Sequence, residues 1–275
     1  MILQSFVMCK TKIYAIISRM ILNSVSNKEK EAVTDKLQTE ELTKIYNKVP
    51  VVNRINLSIE SGEVIGLLGR NGAGKTTTFL MMSGIVKPDE GRVLLNDENL
   101  NDLPSHLRAE KGLVYLPQQH SVFLKTTVFL NLFLVLELFN DEKNATKKAM
   151  ELLKDFGLID VKDSKAYQLS GGEKRRLEIA RAMIKQPKFL FLDEPFTGID
   201  PITVLEIQKI VLKLKEKGIG IIVTDHNVKD TFDITDKVYI IQKGQLLSSG
   251  PPAEVVKEER TRELFLGYDF QWEMR

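Results

Sequence analysis

The sequence predicts an α/β fold with a parallel β-sheet core, an antiparallel β subdomain and an inserted α-helical subdomain. Three apolar runs of strand length carry this prediction, and each is followed at once by glycine-rich or polar residues: Val64–Leu68, Phe189–Leu192 and Ile219–Thr224. Near-continuous apolar runs are typical of strands that are buried on both faces of a parallel sheet. Since ligands bind where such strands end, we expect the functional residues at their carboxyl ends.

The first run leads into a phosphate-binding loop of the P-loop NTPase type. Residues 69–76 fit the pattern G-x-x-x-x-G-K-[ST], and Thr77 follows. The glycines allow backbone N–H groups to approach phosphate oxygens, and the following helix adds its positive N-terminal end. Lys75 would reach the β- and γ-phosphates of ATP, and the Thr76 hydroxyl would ligate Mg²⁺. The predicted nucleotide contacts are Gly69, Asn71, Gly72, Ala73, Gly74, Lys75, Thr76 and Thr77.

Two further strands are predicted before the loop, over 39–45 and 51–59, and they supply an antiparallel edge. Tyr46 lies between them on a predicted loop, where its ring could stack on adenine. A tyrosine that serves only the surface or the core remains the alternative interpretation.

The middle of the chain predicts a second ligand position and a helical insertion. The apolar run Leu113–Leu116 ends just before Gln118, which is therefore expected to face the nucleotide and its metal; Gln119 is a competing candidate. Residues 119–167 have helical periodicity, with Asp141 as an N-cap. The apolar stretch 122–139 either packs in a core or meets a partner.

The segment Leu169-Ser170-Gly171-Gly172-Glu173 begins another predicted helix. Ser170 and Glu173 have the spacing of a capping box, which is sufficient to explain a helix start. Two glycines and a hydroxyl at a helix N-terminus also leave N–H groups free to bind an anion. Both interpretations stay open on these residues alone.

Carboxylates and a histidine follow the other two buried runs. Asp193 and Glu194 follow Phe189–Leu192 directly. Adjacent acidic residues at the end of a buried strand are costly unless they bind a cation or take part in a reaction. We expect Asp193 to hold Mg²⁺ and Glu194 to orient or deprotonate the water that attacks the γ-phosphate. His226 ends the second run and is expected to hydrogen-bond the γ-phosphate.

Composition limits the remaining possibilities. The net charge of +2 is too small to indicate binding to nucleic acid. A single cysteine, Cys9, excludes an internal disulfide framework. No apolar run is long enough to cross a bilayer. Residues 1–36 are interpreted as an extension and polar linker, residues 37–275 as the folded domain, and 251–275 as its charged C-terminal tail.

The P-loop, Gln118, the Ser170–Glu173 segment, the Asp193-Glu194 pair and His226 occur in the order found in ATP-binding subunits of ABC transporters, which this chain resembles from about residue 37 onward. The resemblance implies an ATPase that works as a head-to-tail dimer. In that dimer Ser170 and Gly172 would contact the γ-phosphate of the opposite copy. It also implies transmembrane permease subunits that dock near Gln118 and residues 122–139, and a cytoplasmic position at the inner membrane.

Within that family the chain is similar to the ATPases of lipopolysaccharide export. The residues that carry this similarity are Gly74–Phe79, Tyr115–Gln118, Asp193–Phe196, Thr224–Val228 and Leu266–Phe270. Those ATPases usually have proline at position 70, arginines at 124 and 125 and an acid at 130, where this chain has Arg70, Leu124, Lys125 and Leu130. ATPases of branched-chain amino-acid importers are the alternative, followed by soluble ABC ATPases that do not act in transport.

Overall fold

The computed structural model describes residues 34–119 and 121–272, and the chain from Asp35 onward forms one compact unit. Most of the predicted extension, Cys9 and His120 lie outside the described residues. None of the helices in the described ranges has the length and apolarity that a membrane crossing requires.

The strands in chain order are β1 (Lys36–Tyr46), β2 (Val49–Glu60), β3 (Val64–Leu68), β4 (Glu90–Leu95), β5 (Glu98–Asn99), β6 (Leu113–Leu116), β7 (Phe189–Asp193), β8 (Gly220–Thr224), β9 (Lys237–Gln242) and β10 (Gln245–Gly250). The α-helices are α1 (Lys75–Met82), α2 (Ser105–Glu110), α3 (Val128–Leu136), α4 (Glu142–Asp155), α5 (Gly171–Ala182), α6 (Pro201–Glu216), α7 (Val228–Phe232), α8 (Pro252–Val255) and α9 (Glu259–Thr261).

The predicted parallel core is confirmed. In the described part of the chain, a six-stranded sheet has the order β10-β9-β3-β8-β7-β6, and only the terminal hairpin β9-β10 pairs antiparallel. The three strands named above as buried apolar runs lie side by side at its centre. Their carboxyl ends therefore meet at one edge, which brings the P-loop, the Asp193-Glu194 pair and His226 together.

Side chains of β7 alternate between two separate cores. Phe189 and Phe191 pack with the β1-β2-β4 sheet and with helix α1, whereas Leu190 and Leu192 pack with α6 and the helical subdomain. All five residues of this strand are buried. The alternation follows from the two-residue period of a strand and explains why the run is apolar throughout.

The antiparallel subdomain is confirmed as a four-stranded sheet of order β2-β1-β4-β5 in the described residues. The inserted helices α3 and α4 lie in the predicted 119–167 region, and the Thr127 and Asp141 side chains cap them. Ala145, Ala149 and Leu153 form the buried stripe of α4. Leu152 is only partly buried.

The C-terminal segment is packed on the domain, although its composition was interpreted as a charged tail. Phe270 and Trp272 make edge-on contacts with Phe232 of α7, with ring centroids 6.0 and 5.3 Å away. Trp272 Nε1 donates a hydrogen bond to Asp233 Oδ1 at 2.8 Å. The few aromatic residues among many charges fix this segment against the helix that follows His226.

A buried arginine anchors the far end of the P-loop helix. Arg108 of α2 donates from Nη1 to the carbonyls of Met81 (2.7 Å) and Met82 (2.9 Å), and from Nε to Leu103 (2.9 Å). Burial lowers the pKa of this guanidinium to about 10. A cation at the C-terminus of α1 satisfies its last carbonyls and complements the helix dipole.

We expect Arg108→Met to fill similar space while removing the donor to the Met82 and Leu103 carbonyls; the Met81 carbonyl keeps the Gly84 N–H at 3.2 Å. The free energy of unfolding should fall by about 1–3 kcal/mol, because each unsatisfied buried acceptor retains its desolvation cost. Urea unfolding followed by circular dichroism would measure the change. Arg92→Met is a control, since Arg92 forms an exposed ion pair with Glu40 and should change stability by no more than about 0.5 kcal/mol. Equal stability of the two variants would contradict the anchoring role.

Candidate nucleotide site

The P-loop surrounds a cavity of about 480 Å³ at the carboxyl edge of the central sheet. Residues from five separate parts of the chain line it: Val51 of β2, residues 71–77 of the loop and α1, Gln118, Glu194 and His226. The sheet thus brings most of the predicted nucleotide-contacting and catalytic residues into one cavity. Its volume falls within the range of small-ligand sites.

Lys75 folds back onto its own loop. Its Nζ donates to the carbonyl oxygens of Gly69 at 2.7 Å and Arg70 at 3.3 Å. Burial lowers the pKa of the ammonium, and the nearby carboxylates of Glu194, Asp193 and Asp225 oppose this shift. Lys75 is therefore a cation held close to the backbone that would cradle phosphate oxygens.

Glycine is required at Gly74 by both space and backbone conformation. Gly74 has φ of 109°, and a Cβ there would lie 2.6 Å from the Val51 carbonyl oxygen. Only glycine adopts such a conformation without strain while allowing the close approach of a second backbone. The strand β2 therefore supports the loop directly.

Asp193 has both carboxylate oxygens fixed by hydroxyl groups. Thr224 Oγ1 donates to Oδ1 at 2.6 Å, and the Tyr115 hydroxyl donates to Oδ2 at 3.0 Å. Thr76 Oγ1 lies 3.5 Å from Oδ1. These are hard oxygen ligands of the kind that Mg²⁺ prefers, with a single carboxylate that leaves further positions for phosphates and water. Burial and the Asp193 charge raise the pKa of Tyr115 far above its usual range, so the phenol remains a donor.

Glu194 lies between the other two predicted catalytic side chains. Gln118 Nε2 donates to its Oε2 at 2.6 Å, and His226 Nε2 lies 2.6 Å from its Oε1. The residue adopts φ of 48°, in the left-handed region that is uncommon for non-glycine residues. Its N–H donates to Thr224, to the carbonyl at 2.9 Å and to Oγ1 at 3.1 Å, which holds the backbone in this conformation.

The predicted anion-binding segment lies outside this cavity. Ser170 caps α5 in a complete capping box with Glu173, and its hydroxyl also donates to Glu173 Oε2 at 2.8 Å. Hydrogen bonds from Ser170 lower the pKa of Glu173. Gly172 packs so closely on Thr203 that a Cβ would lie 2.1 Å from the Thr203 Cγ2. Ser170 and Gly172 are absent from the described lining of the cavity.

Tyr46 is the last residue of β1 rather than part of a loop, and it too is absent from the described lining. Its ring is 46% exposed, and Lys44 Nζ lies 5.4 Å from the ring centroid. The side chain is thus accessible, and its contact with adenine stays a prediction.

Asp225 is a residue of the site that sequence reasoning missed. It is buried, and it accepts hydrogen bonds from the backbone N–H groups of Phe196 and Asn227, both at 2.9 Å. Burial raises the pKa of this carboxyl, and those hydrogen bonds oppose the shift. Asp225 thereby joins the loop after Glu194 to the loop that carries His226. Its position in the sequence, directly before His226, is the feature from which a role in the site could be predicted.

Arg175 was also missed, and it joins three predicted motifs. From α5 it donates to the Pro117 carbonyl and to the Asp193 carbonyl, both at 3.0 Å. It also forms a buried ion pair with Glu178 at 3.2 Å. The helix that begins at the glycine segment is therefore tied to the Gln118 loop and to the strand that carries the carboxylates.

Comparison with known proteins agrees with this geometry. The sequence pattern of the ABC transporter family matches residues 52–197, which is more than half of the chain. The chain belongs to the ABC transporter family. It is an ATP-binding cassette subunit, and hence an ATPase.

The similarity to three curated relatives extends over 85–98% of the length of each relative. The chain is 44% identical over 237 residues to the lipopolysaccharide export system ATP-binding protein LptB of Haemophilus influenzae, with 86% of this chain and 98% of that protein covered. It is 43% identical to the LptB of Escherichia coli K12 over the same shares. An uncharacterized ABC transporter ATP-binding protein of Rhizobium meliloti is 44% identical over 83% of this chain and 85% of that protein.

Solved structures confirm the predicted fold class. The ADP conformation of MJ1267, an ATP-binding cassette of an ABC transporter, superposes with a TM-score of 0.77 at 27% identity, covering 85% of this chain and 99% of that one. The cbiO1 protein of Clostridium perfringens, part of the ABC transporter complex cbiONQ, gives 0.75 at 30% identity, covering 82% and 92%.

We expect Asp225→Asn in this ABC ATPase to lower kcat for ATP hydrolysis by about 10- to 100-fold, since small misplacements of catalytic groups have effects of that size. The asparagine side chain has one oxygen where the aspartate has two, so it can accept only one of the two N–H groups in this geometry. The two loops should therefore separate. Steady-state kinetics and nucleotide-binding measurements would test this, with ATP affinity expected to stay unchanged.

A double-mutant comparison separates positioning from general destabilisation. In a His226→Ala background, Asp225→Asn should reduce kcat much less than it does in the unmodified protein, because residues in one network are not additive. Full additivity of the two effects would contradict the idea that Asp225 acts through the His226 loop.

Proposed function

We propose that this chain is the ATP-hydrolysing motor of an ABC transporter that extracts lipopolysaccharide from the inner membrane for export. The observation that carries this proposal is the 43–45% identity over 237–240 residues to proteins named lipopolysaccharide export system ATP-binding protein LptB. At 98–100% coverage of those proteins, the similarity spans the whole cassette rather than one motif. The contacts around Glu194 support a hydrolytic role.

In the proposed reaction Lys75 and the loop N–H groups bind the phosphates of ATP. Thr76, Asp193 and Gln118 would hold Mg²⁺, whose charge would offset that of the phosphoryl group when it is bound. Glu194 orients the attacking water and accepts its proton, and His226 stabilises the γ-phosphate. Gln118 and His226 each lie 2.6 Å from a Glu194 oxygen, which supports a shared role for the three side chains.

The proposed active form is a dimer of two copies that face each other head to tail. Ser170 caps helix α5 and Gly172 lies in its first turn, where the helix N-terminus suits an anion, yet neither lines the cavity of its own chain. A second copy would bring the phosphate of its bound ATP to them. Asp200 caps α6 and bonds to Thr203, the residue against which Gly172 packs, and its loop would link the two sites.

The proposed partners are transmembrane permease subunits that dock beside Gln118 and residues 122–139. Exposed apolar side chains are concentrated in this stretch, at Phe123, Leu124, Leu134, Leu138 and Phe139, and Leu138 is 74% exposed. Docking there would hold the chain on the cytoplasmic face of the inner membrane. Movement of the Gln118 loop would then couple the site to the permease.

Glu194→Gln tests the catalytic assignment. It retains the hydrogen-bonding shape but removes the base, so ATP binding should persist while turnover falls by about 100-fold or more. Size-exclusion chromatography with Mg-ATP should show accumulation of the dimer. Lys75→Ala is the comparison variant, and it should lose nucleotide affinity instead. Normal hydrolysis by the Glu194→Gln variant would exclude Glu194 as the base.

Co-purification from detergent-solubilised membranes tests the transport assignment. Tagged full-length chain should recover lipopolysaccharide-export permeases, and a Leu138→Glu, Phe139→Glu double variant should recover less because charges would enter the apolar surface. Recovery of amino-acid permeases would instead assign the chain to an importer. Recovery of ribosomes or nucleic acid without permeases would assign it to the soluble ABC ATPases.

A further inference from the structure

Tyr115 connects the Gln118 strand to the proposed metal site. It belongs to β6, which pairs with β7, and its cross-strand neighbour is Phe191. Its hydroxyl donates to Asp193 Oδ2 at 3.0 Å. The edge of its ring meets Phe79 of the P-loop helix, with centroids 6.3 Å apart and planes at 87°. The phenol is therefore held in place by apolar contacts on one side and a charged acceptor on the other.

The bonds from Tyr115 and Thr224 together orient the Asp193 carboxylate. Oδ2 is occupied by the phenol, while Oδ1 accepts from Thr224 Oγ1 at 2.6 Å and lies 3.5 Å from Thr76 Oγ1. Asp193 is only 2% exposed, so water cannot replace a lost donor without entering the core. A buried carboxylate oxygen that loses its donor would turn toward another one. Without the phenol, only the Thr224 bond to Oδ1 would orient the carboxylate, and its rotation would change how Oδ1 faces Thr76.

We propose that Tyr115 is a positioning residue for Mg²⁺, because its hydroxyl holds the Asp193 carboxylate in the orientation that presents Oδ1 to the metal beside Thr76. The inference rests on the proposed Mg-dependent function. Outer hydrogen bonds of this kind orient metal ligands, and their loss lowers metal affinity. A role limited to core packing would instead need only the aromatic ring, which phenylalanine also supplies.

Tyr115→Phe keeps the ring and removes the donor. Binding of a fluorescent ATP analogue is measured against Mg²⁺ concentration and, separately, in EDTA. We expect the Mg²⁺ concentration at half-maximal enhancement of binding to rise by about 10- to 100-fold, with affinity in EDTA unchanged. Tyr239→Phe is the matched control, since that tyrosine is buried and its hydroxyl likewise makes hydrogen bonds within the protein, to the Ser58 backbone at 3.1 Å.

A variant that carries 4-aminophenylalanine at position 115 provides a rescue, because its ring bears an N–H donor at the same place. It should return the Mg²⁺ midpoint toward that of the unmodified protein.

An unchanged midpoint in Tyr115→Phe, or an equal loss of affinity in EDTA, would overturn the inference while leaving the ATPase function intact. Absence of any Mg²⁺ dependence in the unmodified protein would instead overturn the proposed function itself. If Tyr115→Phe does not fold, failure of the donor-bearing variant to match the unmodified midpoint would overturn the inference.

Discussion

The structure depends on burying a carboxylate, Asp193, at the end of the central strand β7. A buried charge is costly unless it is hydrogen-bonded or paired, and here neighbouring strands on both sides supply hydroxyl donors. The same requirement fixes the register of β6, β7 and β8, because Tyr115 and Thr224 reach Asp193 only in that alignment. The nucleotide site and the sheet are thus specified by one set of contacts.

Two buried charged side chains join the separate segments that carry the site residues. Asp225 ties the loop after Glu194 to the loop of His226, and Arg175 ties helix α5 to both Asp193 and the Gln118 loop. Each is a buried charged group whose hydrogen bonds go to the backbone of a different segment. A change in the position of α5, which Ser170 caps, would therefore shift the loop of Gln118 and the strand end of Asp193 together. The proposed dimer would use this link, since Ser170 is the residue expected to meet the second copy.

The sequence predicts those parts of the fold that local pattern determines. The P-loop, the buried runs and the acids and histidine at their ends were identified because strand ends in a parallel sheet converge. Tyr115, Thr224, Asp225 and Arg175 were not, because their roles arise from contacts between segments distant in sequence. The packing of the C-terminal segment does not follow from its sequence for a similar reason: its charges dominate its composition, whereas Phe270 and Trp272 determine its packing. The sequence predicts a loop at Tyr46, whereas the structure has Tyr46 at the end of β1, paired with Val49.

The alternation of β7 between two cores has a consequence for how the molecule unfolds. Leu190 and Leu192 belong to the core of the helical subdomain, while Phe189 and Phe191 belong to that of the antiparallel sheet. Neither core can melt alone without exposing one face of the same strand. The two subdomains therefore share one strand in their cores, although the helical insertion resembles an independent module in the sequence.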